Sequence, residues 1–156
     1  MNQSLFKEIC STFPTGVTII TSKKNNIDYG FTANSFTSVS LSPLLVLFCL
    51  DKNAKSNEAL NINEFFVVNV LSKTQEKICF QFANSELSPK ERFENISTKI
   101  SKKGIKIISN SCSFIECKIK EKFDGGDHYI YIGECINGEI NDEIKDPLIY
   151  HRGKML

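Results

Sequence analysis

The sequence predicts a mainly β protein: an antiparallel sheet that closes into a barrel, with a few short helices. Three observations carry the prediction. Runs of β-branched and aromatic residues follow one another along most of the chain. Helical spacing of apolar residues is confined to short stretches. Helices do not alternate with strands, and no Gly-x-Gly-x-x-Gly turn occurs, which argues against a doubly wound nucleotide-binding fold.

The elements read in order as follows. Leu5, Ile9 and Phe13 share one face of a short amphipathic helix, which Pro14-Thr15-Gly16 ends. Val17 to Thr21 is a strand, and a polar turn at Lys23 to Asn26 returns the chain through Tyr29 and Phe31 as a hairpin. Leu44 to Leu50 is apolar on both faces and suits a strand buried on both sides. Phe65 to Leu71 is similar. Ser72 and Gln75 have capping-box spacing, so a helix is expected from there to about Ala83, with Ile78 and Phe82 on one face. Residues 84 to 104 are polar and hold at most one short helix. Ser113 to Lys120 alternates, with Ile115, Cys117 and Ile119 inward. Asp124-Gly125-Gly126-Asp127 is a turn. His128 to Ile136 is a strand that ends before a turn at Gly138, and Leu148 to Tyr150 closes the set.

Size and composition bound the function. The 156 residues fit a single domain, 1–156, long enough to bury a core without disulfides or metal. Hydrophobic residues are 41% and charged residues 24% of the chain, which is ordinary globular usage and argues against disorder. Nineteen basic residues face 18 acidic ones, so no electrostatic footprint points to nucleic acid or to a membrane surface. The N-terminus has no secretory pattern, and the longest apolar run, Leu44 to Leu50, is too short to span a bilayer. A soluble, cytoplasmic protein is expected. In that compartment the six cysteines are expected to be reduced. No Cys-x-x-Cys occurs, and Cys112 and Cys117 point to opposite strand faces, so no metal site is predicted.

Three segments are candidates for chemistry. Gly30 to Pro43 is rich in small and hydroxylated residues, yet lies between two apolar strands. It is either a loop satisfying its own backbone or a groove whose N–H groups approach a flat polar ring. Asp51 to Ser56 precedes a short helical stretch, Asn57 to Leu60. There Ser56 is a candidate cap and Lys55 a candidate charge for phosphate, the other reading being a solvated turn. His128, one of two histidines, begins a strand after a flexible turn and is structural or catalytic. No Ser-His-Asp or Cys-His spacing supports acyl transfer.

Taken together, these segments resemble the flavin reductase-like family, the reductase component of two-component flavin-dependent monooxygenases, with the 4-hydroxyphenylacetate 3-monooxygenase reductase as its representative type. The resemblance rests on five motifs in order: Phe13 to Thr21; Gly30 to Pro43; Phe66 to Leu71 with Gln75 and Phe82-Ala83; Gly126 to Glu134; and Pro147 to Gly153. It implies an FMN-binding split β-barrel, a homodimer, and hydride transfer from NADH or NADPH to FMN or FAD. By the same resemblance Thr32, Ala33, Asn34 and Ser35 face the isoalloxazine ring. Ser38, Val39 and Ser40 line the ring and ribityl chain. Cys49, Leu50, Asp51, Lys55 and Ser56 fall at the ribityl and phosphate groups, with Phe82 and Ala83 near them. His128 matches the histidine associated with nicotinamide, and Tyr150, His151 and Arg152 fall near the site. Two departures stand out: Leu44 follows Pro43 where a second proline is common, and Met155 stands where the tail usually has an aromatic. In such an enzyme the cofactors carry the reactivity and the protein orients them. The residues alone leave other barrel functions open: a flavin-storage or electron-transfer protein, a site for another planar ligand such as haem, or a protein-interaction module.

Overall fold

The computed structural model describes residues 1–156. The chain runs α1 (Gln3–Ser11), β1 (Thr15–Gly16), β2 (Thr18–Lys24), β3 (Ile27–Ala33), β4 (Thr37–Leu41) and β5 (Leu44–Asp51). A 3-10 turn (Lys55–Ala59) leads to β6 (Phe65–Val70), and a second (Lys73–Gln75) leads to α2 (Glu76–Ala83). Then follow α3 (Pro89–Arg92), β7 (Thr98–Ile100), β8 (Lys106–Ile108), β9 (Ser113–Gly125), β10 (His128–Ile140), β11 (Ile149–His151) and β12 (Lys154–Met155). No helix is long and apolar enough to cross a membrane.

Seven strands form one antiparallel sheet in the order β3-β2-β6-β9-β10-β5-β4. Its two edges, β3 and β4, are consecutive in the chain and joined only by Asn34, Ser35 and Phe36. The sheet curls but does not close, which is the split barrel. Alternation explains its two cores. Along β2, Ile20 points into the barrel, while Ile19 and the preceding Val17 point outward beneath α2. The inner core centres on Phe48, whose ring stacks on Tyr131 at 5.1 Å and meets Phe66 edge-on at 5.1 Å. The outer core packs Cys79 and Phe82 of α2 and Phe93 against β2, with Leu71, Ile108 and Leu148.

Several expectations are corrected. Strand β5 is not buried on both sides: Val46, Phe48 and Leu50 are buried, but Leu44 is exposed and Leu45, Leu47 and Cys49 are half-covered. This strand lies next to the sheet edge, where nothing in the chain packs over its outer face. Strand β10 runs through Gly138 to Ile140, so the expected turn is absent. The strand bends at register shifts near Gly133 and Asn137 instead. Glu116, on the polar side of the β9 alternation, is fully buried, because Ser101 to Gly104 fold over it and Lys103 N–H donates to Oε1 at 3.0 Å. The capping box at Ser72 and Gln75 is formed, and closes the 3-10 turn before α2. Ser56 does not cap a helix: the turn begins at Lys55 after Ala54, and Ser56 is buried inside it.

Candidate functional site

The seam between the two sheet edges opens into a cleft of ≈ 400 Å³, within the range of small-molecule sites. One wall is Thr32, Ala33, Asn34 and Ser35 at the end of β3. A second is Cys49 to Asp51 at the end of β5, with Asn53, Ala54 and Lys55 beyond. Phe82, Ala83 and Ser85 come from the end of α2, Arg92 from α3, and His128 from the start of β10.

The hydroxyls of the cradle are occupied by the fold. Thr32 Oγ1 donates to the Cys79 carbonyl at 2.6 Å, tying β3 to α2. Ser35 Oγ accepts from Cys49 N–H at 2.9 Å and donates to Cys49 O at 3.2 Å. Thr37 faces Leu47 in the β4–β5 ladder, so Ser35 falls opposite Cys49 in the same register. The backbone has left the ladder there, and the Ser35 hydroxyl takes its place. This leaves the N–H groups of Asn34 and Ser35, which donate to no group of the chain, and both residues line the cleft. Two adjacent free donors on a rigid rim can meet the polar edge of a planar ring.

The opposite rim is fixed by local bonds. Asp51 Oδ1 accepts from Asn53 N–H at 2.7 Å, and Asn57 Nδ2 donates to the Asp51 carbonyl at 2.7 Å. The β9–β10 hairpin tip closes down on it: Lys52 N–H donates to Asp127 O at 3.0 Å, and Lys52 Nζ meets Asp124 Oδ2 at 2.6 Å. That ion pair pushes the Lys52 ammonium up and the Asp124 carboxyl down from their ordinary ranges. His128 pairs with Asp51 across β10 and β5, and its Nδ1 lies 2.7 Å from Asp127 Oδ1. The bond to His128, aided by its charge, holds the Asp127 carboxyl low. The His128 side chain is 44% exposed at the mouth.

The structure thus brings together Thr32, Ala33, Asn34, Ser35, Cys49, Leu50, Asp51, Lys55, Phe82, Ala83 and His128. Ser56 is buried behind this wall. Ser38, Val39 and Ser40 lie elsewhere: β4 runs away from the cleft, Val39 is its bulged residue, and Ser38 and Ser40 border an apolar groove with Leu41 and Leu44. Tyr150 lines a neighbouring cavity of ≈ 350 Å³, which shares Thr32, Asn34 and Ala83 with the cleft and is also lined by Phe80 and Met155. His151 and Arg152 line neither cavity, and Arg152 sits in the β11–β12 turn with φ 49. Phe31, Asn53 and Ala54 fall inside the candidate segments without an individual role, and sequence reasoning missed Ser85 and Arg92. For Arg92 one local signal existed: Ser88-Pro89-Lys90-Glu91 is a capping box with proline in the first turn, and it sets the helix that carries the arginine.

The cleft fits a flavin. It has free backbone donors for a polar ring edge, the aromatic Phe82 beside them, and cations at one end. Comparisons with known proteins report what the chain as a whole is similar to. The family model for the flavin reductase like domain matches residues 10–156. The chain is similar to the reductase subunit HsaB of a flavin-dependent monooxygenase from Rhodococcus jostii (strain RHA1), at 35% identity over 150 residues, 96% of this chain and 74% of that protein. It is similar to an NADH-dependent FAD reductase of Streptomyces globisporus, at 39% identity over 132 residues, 83% and 72% of the two chains. The solved structure of the Streptomyces globisporus C-1027 NADH:FAD oxidoreductase SgcE6, in complex with NAD and FAD fragments, superposes with a TM-score of 0.92 at 33% identity, covering 99% of this chain and 92% of that one.

Proposed function

Because the chain belongs to the flavin reductase like family, we propose that the seam cleft is where it holds flavin, and that it feeds reduced flavin to a partner monooxygenase. The protein is an NAD(P)H-dependent flavin reductase, passing hydride from reduced nicotinamide to FMN or FAD. The observation that carries the site reading is the pair of free N–H groups at Asn34 and Ser35, held on the cleft rim by the Ser35–Cys49 lock.

Nicotinamide and flavin supply the redox chemistry when bound. The chain's own residues bind and orient. The Asn34 and Ser35 N–H groups would hold the polar edge of the ring and favour negative charge there. Phe82 and Ala83, which line the cleft, would cover a ring face. Lys55 balances charge at the far end. His128, anchored through Nδ1 to Asp127, presents its other ring nitrogen at the mouth, where it positions the nicotinamide. The cleft holds no clustered acid–base machinery, as hydride transfer requires alignment more than proton transfer.

Replacing His128 with alanine tests this. The kcat/KM for NADH is expected to fall about tenfold, the worth of one such hydrogen bond, while flavin affinity holds. Unchanged KM and kcat for NADH would remove His128 from the site.

The same reading includes a homodimer. Helix α1 has no buried residue: Leu5, Phe6 and Ile9 are exposed along it, and Phe13, which the sequence placed on the same helix face, is exposed just beyond its end at Ser11. Val39 and Leu41 of β4 and the adjoining Leu44 are exposed at the sheet edge. Such surfaces call for cover. Light scattering at the mass of one 17.6 kDa chain would rule out the dimer.

A further inference from the structure

Cys117 and Cys135 face each other across β9 and β10, away from the cleft. They are a directly opposed antiparallel pair, so their side chains lie on one face of the sheet, packed into the inner core. The two sulfurs are 3.9 Å apart, with the Cys117 thiol donating to Cys135 Sγ. Opposed residues of antiparallel strands lie about 4.5–5.5 Å apart at Cα, within the roughly 4.4–6.8 Å that a disulfide spans. A bond of about 2.05 Å therefore needs the sulfurs to turn toward each other, with little movement of the strands. Among the six cysteines this is the one hydrogen-bonded thiol pair; Cys112 Sγ donates to the backbone carbonyls of Leu71 and Asp146 instead.

The two thiols differ in access. Cys117 is fully buried, and burial, with Cys135 beside it, pushes its thiol up from the ordinary cysteine range. Cys135 is half-buried and borders the apolar groove of ≈ 450 Å³ with Leu44, Leu45 and Ile136. An oxidant therefore meets Cys135 first, and Cys117 stands behind it as the resolving thiol. Register shifts fall on either side of the pair, between Ile132 and Gly133 and between Cys135 and Asn137. A cross-link between them fixes the bend of β10.

We propose that Cys117 and Cys135 are a peroxide-sensitive pair that closes to a cross-strand disulfide and pins the bend of β10. The Cys135 sulfur attacks one oxygen of hydrogen peroxide: an S–O bond forms, the O–O bond breaks, and the leaving hydroxide takes the thiol proton to become water. The Cys117 sulfur then attacks the Cys135 sulfur: the S–S bond forms, the S–O bond breaks, and hydroxide leaves with the Cys117 proton as a second water. The two thiols together lose two electrons, and one peroxide is reduced to two waters. The reductase activity brings the oxidant, because dioxygen that meets reduced flavin takes two electrons and two protons from it and leaves as peroxide.

Hydrogen peroxide treatment of the reduced full-length protein, read by peptide mass mapping with and without dithiothreitol, tests this. Wild type is expected to lose two thiols to a disulfide between Cys117 and Cys135, and to regain both on reduction. Cys135→Ser is expected to leave Cys117 reduced under the same treatment, because burial shields it. Cys117→Ala is expected to stop Cys135 at the sulfenic acid, which dimedone captures; if that variant does not fold, Cys135→Ser carries the test. Treated wild type with both thiols still reduced, Cys135 oxidised without bridging to Cys117, or Cys117 oxidised equally in Cys135→Ser would overturn the proposal. Air, NADH and FMN in place of added peroxide are expected to form the same bridge, and catalase to prevent it. A bridge that forms with added peroxide but not while NADH is consumed would overturn that source of oxidant alone.

Discussion

Replacing Ser35 with alanine separates two roles that a serine on a cleft wall can play. The Ser35 hydroxyl makes two hydrogen bonds to the Cys49 backbone, at 2.9 Å and 3.2 Å, where the β4 ladder has left β5 without a partner. Each bond contributes about 0.5–1.5 kcal/mol net, and leaving a partly buried backbone group unpaired costs about 1–3 kcal/mol. The variant should therefore lose about 1–2 kcal/mol. For a domain of this size that corresponds to a Tm roughly 2–8 °C lower. Urea unfolding of the ligand-free protein should give a lower Cm at an unchanged m-value, since no more surface is exposed. Flavin affinity should fall too, because the lock positions the N–H groups of Asn34 and Ser35. A variant with unchanged Cm but weakened flavin binding would refute this reasoning, since the hydroxyl's working partner would then be the ligand.

Two further perturbations probe the framework. A Cβ on Gly30 would lie 2.5 Å from Phe82 Cε1 and 3.2 Å from Phe93 Cζ, and Phe82 is buried with its ring edge-on to Phe93. Gly30→Ala should cost about 1–3 kcal/mol of stability and weaken flavin binding by moving Phe82, and wild-type values in denaturation and in titration would show that the wall yields freely. Tyr131 donates to Asn57 Oδ1 at 2.7 Å, and burial pushes its hydroxyl up to about 12. The unfolded chain's tyrosine ionises first, near about pH 10, so the Tyr131 contribution is intact below that pH and is lost as pH rises through the folded value. The stability difference between wild type and Tyr131→Phe should shrink between about pH 10 and pH 12 in urea melts, and a constant difference would contradict it.

The legible parts of the sequence were those whose physics is local. Alternation placed Cys117 and Ile119 inward, and capping-box spacing placed the turn before α2. The rim from Thr32 to Ser35 and the wall from Asp51 to Lys55 were legible as polar segments beside apolar strands, while Cys49 and Leu50 entered only through the family resemblance. What stayed hidden depends on where the chain turns in space. Gly30 to Pro43 reads as one hydroxyl-rich unit, yet the chain rejoins β5 at Thr37, so Ser38 and Ser40 face another groove. Arg92 is 62 positions from the Gly30 carbonyl it bonds. Glu116 follows a strand pattern that puts it in solvent, and only the fold-over of Ser101 to Gly104 buries it.

The seam has one more consequence. Strands β3 and β4 sit at opposite ends of a seven-strand ladder and share no pairing, yet three residues of chain separate them. A molecule seated in the cleft touches the rim leading out of β3 and the Cys49 side of β5, beside β4. On the reading proposed above, such a molecule would bridge the two edges, and part of its binding free energy would go to holding the seam together. Loosening of either edge and departure of the flavin become one coupled equilibrium.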